Sequence, residues 1–141
     1  MKKAIFTLSL LLLVSAAALA QNTQTSGKPA AAAPMAAFQW SQTEYDFKNI
    51  PQNVPATATF KFKNTGKVPL VISTAQGSCG CTVPNWPRDP IAPGETGEIK
   101  AVFNAANPGA FNKVVTVYAN VEGGSSSVTI KGTVDVKPSN Q

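Results

Sequence analysis

The stretch Thr57-Ala58-Thr59-Phe60-Lys61-Phe62-Lys63-Asn64-Thr65-Gly66 decides the fold. Ala58, Phe60 and Phe62 alternate with Thr57, Thr59, Lys61 and Lys63, so one face is apolar and the other wet, the period of a half-buried β-strand. Asn64 to Lys67 then reads as a turn. The pattern recurs outward in both directions. Phe38, Trp40, Tyr45 and Phe47 precede it, and Val68, Leu70 and Ile72 follow on one face. Gly97, Ile99, Ala101 and Phe103 alternate with Glu98 and Lys100, Asn107-Pro108-Gly109 breaks the chain, and Val115, Val117, Ala119 and Val121 form the next run. Gly123-Gly124-Ser125 turns the chain into a final strand carrying Val128, Ile130, Val134 and Val136. About seven short strands with one-sided alternation predict an all-β, immunoglobulin-like antiparallel two-sheet sandwich, in a single domain over 38–137.

The ends read differently. Lys2 and Lys3, the apolar run Ala4 to Val14 and the small residues Ala18-Leu19-Ala20 predict a signal peptide over 1–20, cleaved after Ala20. The apolar run is shorter than the ~20 residues that span a bilayer, so no membrane span is expected after cleavage. No cysteine follows the run, which excludes a lipid-modified N-terminus. A periplasmic or secreted location follows. Residues 21–37 hold no aromatic or β-branched aliphatic side chain and are expected to form a flexible tether. Residues 138–141 are a short tail.

Loss of Lys2 and Lys3 leaves ten basic residues against seven acidic, so the formal charge falls from +5 to +3. The lysines are scattered singly and Arg88 is the one arginine, which argues against nucleic acid as a partner.

The chemistry narrows to Ser78-Cys79-Gly80-Cys81-Thr82, which holds both cysteines of a chain without histidine. A Ser-His-Asp triad is ruled out, and the seven carboxylates show no pairing spacing. Zinc is not expected, since two cysteines do not complete its ligand set, whereas copper(I) accepts two soft thiolates such as Cys79 and Cys81. An exported protein more often bridges such a pair. That disulfide closes only three residues and stabilises by roughly 1.6 kcal/mol before strain, so it is a poor staple. Three roles stay open: fixing a local bend or packing inward, redox exchange, and copper(I) handling. Side chains two apart on a flat strand sit too far apart to bridge, so Gly80 is expected at a turn or bulge, free to take positive φ. Ser78, Gly80 and Thr82 support the pair.

Pro84, Pro87, Pro90 and Pro93 recur every third residue, the period of polyproline II, and predict a stiff extended crossover unable to join a sheet interior. Pro84, Trp86 and Arg88 are therefore a candidate contact surface, Trp and Arg being favoured at binding hot spots. The competing reading has Trp86 covering the edge of the core.

Phe60-Lys61-Phe62-Lys63-Asn64-Thr65-Gly66, Pro69-Leu70-Val71-Ile72, Ser78-Cys79-Gly80-Cys81-Thr82 and Ile91-Ala92-Pro93-Gly94-Glu95, in that order, resemble the successive motifs of the bacterial secreted family called domain of unknown function 1573. The resemblance covers roughly Thr43 to Val134. Its layout is similar to major sperm protein and Hydin-type immunoglobulin-like domains, which implies a module that binds or scaffolds and is not an enzyme. The expectation is a secreted, non-enzymatic binding or assembly module of the bacterial envelope, needing no cofactor, with an envelope or surface protein as partner. The alternative is thiol-based redox exchange or copper(I) handling by Cys79 and Cys81.

Overall fold

The computed structural model describes residues 33–136. The expected signal peptide, residues 21–32 of the tether and residues 137–141, which include the tail, lie outside the described residues. Eight strands form two four-stranded sheets: β1 (Phe38–Trp40), β2 (Glu44–Pro51), β3 (Ala56–Asn64), β4 (Ile72–Gly77), β5 (Thr82–Asn85), β6 (Thr96–Phe103), β7 (Gly109–Ala119) and β8 (Ser125–Asp135). One sheet has the order β1-β3-β6-β5 and the other β2-β8-β7-β4. No helix among the described residues is long and apolar enough to cross a membrane.

The alternation read from β3 places its side chains as expected. Ala58, Phe60 and Phe62 are buried while Lys61 and Lys63 are exposed. Phe60, Phe62, Leu70, Ile72, Ile99, Phe103, Val128 and Ile130 share one core with Val115, Val117 and Val134. A Cβ on Gly97 would fall 2.5 Å from Phe62 Cζ, so the bare backbone of β6 makes room for that ring. Phe38 stacks on Trp40 at 4.8 Å between ring centroids, and both meet Phe62 edge-on. Trp40 Nε1 donates to Ser126 Oγ at 2.9 Å, linking one sheet to the other.

Three features add to the reading of the sequence or depart from it. The aromatic run that opens the domain is two strands, because the chain bends at Ser41 to Thr43 and sends β1 and β2 to opposite sheets. The second sheet is mixed: β2 pairs parallel with β8, Tyr45 opposite Ile130 and Ile50 opposite Val134. The expected tether also ends early. Ala36 is 2% exposed and bridges Val121, while the main-chain oxygens of Met35 and Ala37 accept from Lys67 and Thr65 at 3.1 and 3.0 Å. Composition missed this because main-chain bonds hold the segment, and small size is what the site demands. A Cβ on Gly66 would lie 2.5 Å from Ala36 Cα.

Asn64 closes β3 from inside the core. It is 0% exposed, yet every polar group it carries is paired. Its side-chain amide donates to the oxygens of Val68 and Ile91 at 2.9 Å, and Oδ1 accepts from Ala37 and Gly66 at 3.3 and 3.0 Å. Its main-chain N–H donates to the Glu95 oxygen at 2.9 Å and its oxygen accepts from Gly94 at 2.7 Å. The turn expected at Asn64 is thus also a junction of the N-terminal segment and the two loops.

Where β2 is bulged, Lys48 Nζ bonds Asp46 Oδ2 at 2.9 Å and its main-chain N–H bonds Asp46 Oδ1 at 2.8 Å. The Lys48 side-chain bond, then its main-chain bond, hold the Asp46 carboxyl below the ordinary aspartate value. Across the parallel pair Glu44 accepts a hydrogen bond from Lys131 and raises that ammonium's pKa.

Candidate functional site

The four residues Ser78 to Cys81 carry the chain from the edge strand of one sheet, β4, to the edge strand of the other, β5. Cys79 and Cys81 are joined by a disulfide, with Cα atoms 5.2 Å apart. The turn is closed by the Thr82 N–H, which donates to the Cys79 oxygen at 3.3 Å. Ser78 fixes one flank: its N–H donates to the Val114 oxygen at 2.8 Å, and its Oγ accepts from the Val114 N–H at 3.2 Å. The Asn104 N–H fixes the other by donating to the Cys81 oxygen at 3.0 Å.

Gly80 lies in this turn, outside both ladders and exposed. It does not take the left-handed φ expected of it, and a Cβ placed there would meet nothing within 4 Å. The bend comes instead from departure of the whole loop from the strand. The glycine that the loop requires is Gly77, whose added Cβ would overlap the Thr82 main-chain oxygen. Its place at the close of β4, just before the cysteine motif, was the available signal.

Thr82, the first residue of β5, is 3% exposed, and its Oγ1 faces both sulfurs, 3.9 Å from Cys79 Sγ and 4.0 Å from Cys81 Sγ. Cys81 also packs against the core and lines a cavity of about 110 Å³ with Phe103, Asn104, Phe111 and Lys113. Thr82 is one of the three residues expected to support the pair, whereas Lys113 does not stand out in the sequence, because β7 and the cysteine loop meet only in the fold.

The proline run is only partly outside the sheet. Pro84 is a residue of β5, opposite Ala101 of β6. The missing N–H is tolerated there because β5 is an edge strand, where half of the main-chain groups have no ladder partner. Beyond β5 the chain leaves the sheet until Ile91, which pairs with Leu70 through two bonds of 2.8 and 2.9 Å. Trp86 is half-buried against the core, and its Nε1 is buried without a hydrogen-bond partner among the described residues. Arg88 is exposed and places its guanidinium carbon 3.9 Å from the centre of the Trp86 ring. Trp86 thus covers the core edge while Arg88 covers Trp86. Val83, which the sequence did not single out, is 62% exposed on β5. A separate groove of about 700 Å³, lined by Trp40, Phe62, Lys63 and Glu98 among others, involves β1, β3 and β6 and none of the expected site residues.

The sequence profile of the family described as "Protein of unknown function (DUF1573)" matches residues 38–134. No curated protein matches the sequence. Among solved structures, the fold is similar to a protein of unknown function from Porphyromonas gingivalis W83, with a TM-score of 0.64, 14% identity and 75% of this chain covered. This chain spans half of that protein's length. The ASH/PapD-like domain of human CEP192 is similar over 78% of this chain and 93% of its own, at 10% identity and a TM-score of 0.59. The secreted serine protease VesC from Vibrio cholerae shares the fold over 75% of this chain and 24% of its own, at 10% identity and a TM-score of 0.53.

Proposed function

Given that the chain belongs to the DUF1573 family, we propose that it is an exported, non-enzymatic immunoglobulin-like module of the bacterial envelope, periplasmic or secreted, which binds or assembles with another envelope protein through β5 and the crossover that follows. The observation that carries this reading is the Arg88 guanidinium stacked 3.9 Å over Trp86, close in sequence to Val83, which β5 leaves exposed. Stacking fixes a long side chain that otherwise loses rotamer freedom on binding, so Arg88 is pre-ordered for a carboxylate. Val83 offers an apolar contact, and the partner that fits is an acidic segment with an apolar side chain beside it.

Affinity capture from envelope extracts tests this. Wild-type protein is expected to retain a partner that is lost with Val83→Glu and Arg88→Glu and kept with Tyr118→Glu, a substitution on exposed β7 surface of the other sheet. Equal capture by all three variants would refute the assignment of this surface.

A further inference from the structure

We propose that the Cys79–Cys81 bridge is a thiol–disulfide exchange site whose co-substrate is an accessible dithiol, such as two cysteines of another polypeptide. The inference rests on the cysteine loop and is independent of the β5 contact surface. The bridge closes too short a loop to constrain the unfolded chain much, and the loop is already held without it. Ser78 is tied to Val114 and Cys81 to Asn104 by main-chain bonds, so the sulfurs separate without releasing the turn.

The Thr82 hydroxyl supplies the driving force. It is almost wholly buried, and its side-chain partners among the described residues are the two sulfurs, at 3.9 and 4.0 Å. A bridged sulfur is a weak acceptor, so the hydroxyl is poorly served in the oxidised protein. A thiolate accepts a charge-assisted bond from it. An interaction gained only on reduction favours the reduced form and holds the leaving thiolate, which makes the bridge more oxidising.

The cavity beside Cys81 gives the approach. At about 110 Å³ it is smaller than the roughly 150 Å³ that takes up benzene, and it has room for a thiol-bearing methylene. Lys113 lines it and offers a cation to an entering thiolate. That thiolate attacks Cys81 Sγ, a substrate–Cys81 disulfide forms, the Cys79–Cys81 bond breaks, and the electron pair leaves on Cys79 Sγ facing Thr82. The second substrate thiol, as thiolate, attacks the first substrate sulfur in the mixed disulfide and expels Cys81. The substrate dithiol is oxidised to a disulfide and its two electrons end on the two cysteine sulfurs; its protons pass to solvent, from which Cys81 takes one, and Cys79 stays the thiolate that Thr82 holds.

Native protein equilibrated with reduced and oxidised glutathione, acid-quenched and weighed by mass spectrometry, tests the proposal. The folded wild type is expected to be reduced by dithiothreitol without denaturant. Thr82→Val is expected to lower the equilibrium constant for reduction about tenfold, ~30 mV, with Thr82→Ser restoring it. Cys79→Ser treated with oxidised glutathione is expected to hold a stable mixed disulfide on Cys81. A wild-type bridge that dithiothreitol reduces only in denaturant overturns the proposal, whatever the variants do. Equal potentials for Thr82→Val and wild type overturn it as well.

Discussion

Asn64 donates its side-chain amide to the main-chain oxygen of Ile91 at 2.9 Å, at a position with no access to solvent. A buried amide is costly unless all of its groups are paired, and here two donors and one acceptor tie together segments that no other described side-chain hydrogen bond joins. The residue that ends β3 therefore also orders the loop ahead of β6 and the segment ahead of β1.

Asn64→Ala should accordingly cost about 3 kcal/mol, since it strands the Val68 oxygen and the Ala37 and Gly66 N–H groups, while the Ile91 oxygen keeps its bond from the Leu70 N–H. A urea midpoint within error of the wild type would show that water takes the amide's place.

The register of β3 is open to the same kind of measurement. Phe62→Ala should lose about 3 to 5 kcal/mol, because the ring is 2% exposed among Phe38, Trp40 and Gly97. Lys61→Ala, one residue away on the wet face, should stay within about 0.5 kcal/mol. Similar midpoints for the pair would contradict the burial pattern.

Two glycines should behave in opposite ways. Gly97→Ala drives a methyl into a ring that cannot retreat, at a cost of about 1 to 3 kcal/mol. Gly80→Ala adds its methyl to open space at an ordinary φ and should leave both stability and the Cys79–Cys81 bridge intact. Thermal melts and thiol counts on the two variants decide this, and loss of the bridge in Gly80→Ala would show that the turn needs glycine after all.

Asp46 gives a pH signature. Its carboxyl is held below the ordinary value of 3.8 by hydrogen bonds from Lys48, so the folded state favours the charged form. The resulting stability is present above that ordinary value and is lost as pH falls through the lower, folded one. Because the pair is exposed, its effect on the melt should be slight, and the carboxyl carbon shift is the better probe. Lys48→Ala should move the titration only part of the way back, since the main-chain N–H of residue 48 still donates.

The core-facing residues were legible because strand alternation is a local property: Phe60, Ile99 and Ile130 each declare their face within three or four residues. Properties that depend on a distant partner were not. Nothing near Glu44 announces that β2 will lie parallel to β8, and nothing near Ala36 announces that a turn 30 residues on will cover it. Pro84 left its place open for a related reason. Its missing N–H bars it from a sheet interior, but whether a strand is interior or edge is a fact of topology. At the cysteines Ser78, Gly80 and Thr82 are marked by the motif itself, while Gly77 and Asn104, which also shape the loop, act through main-chain contacts that only the fold creates.

The parallel pairing of β2 with β8 has a consequence in time. Glu44 to Pro51 is made early by the ribosome, yet its hydrogen-bonding neighbour, Thr129 to Asp135, belongs to the last of the described strands to be synthesised. The second sheet cannot grow in the order in which the chain emerges. Until β8 arrives, Tyr45 and Phe47 have none of the described strands beside them in their sheet, and a set of pairings this distant in sequence closes on the scale of milliseconds to seconds. During that interval the unpaired early strand, with its aromatic side chains uncovered, is the kind of segment prone to misassembly.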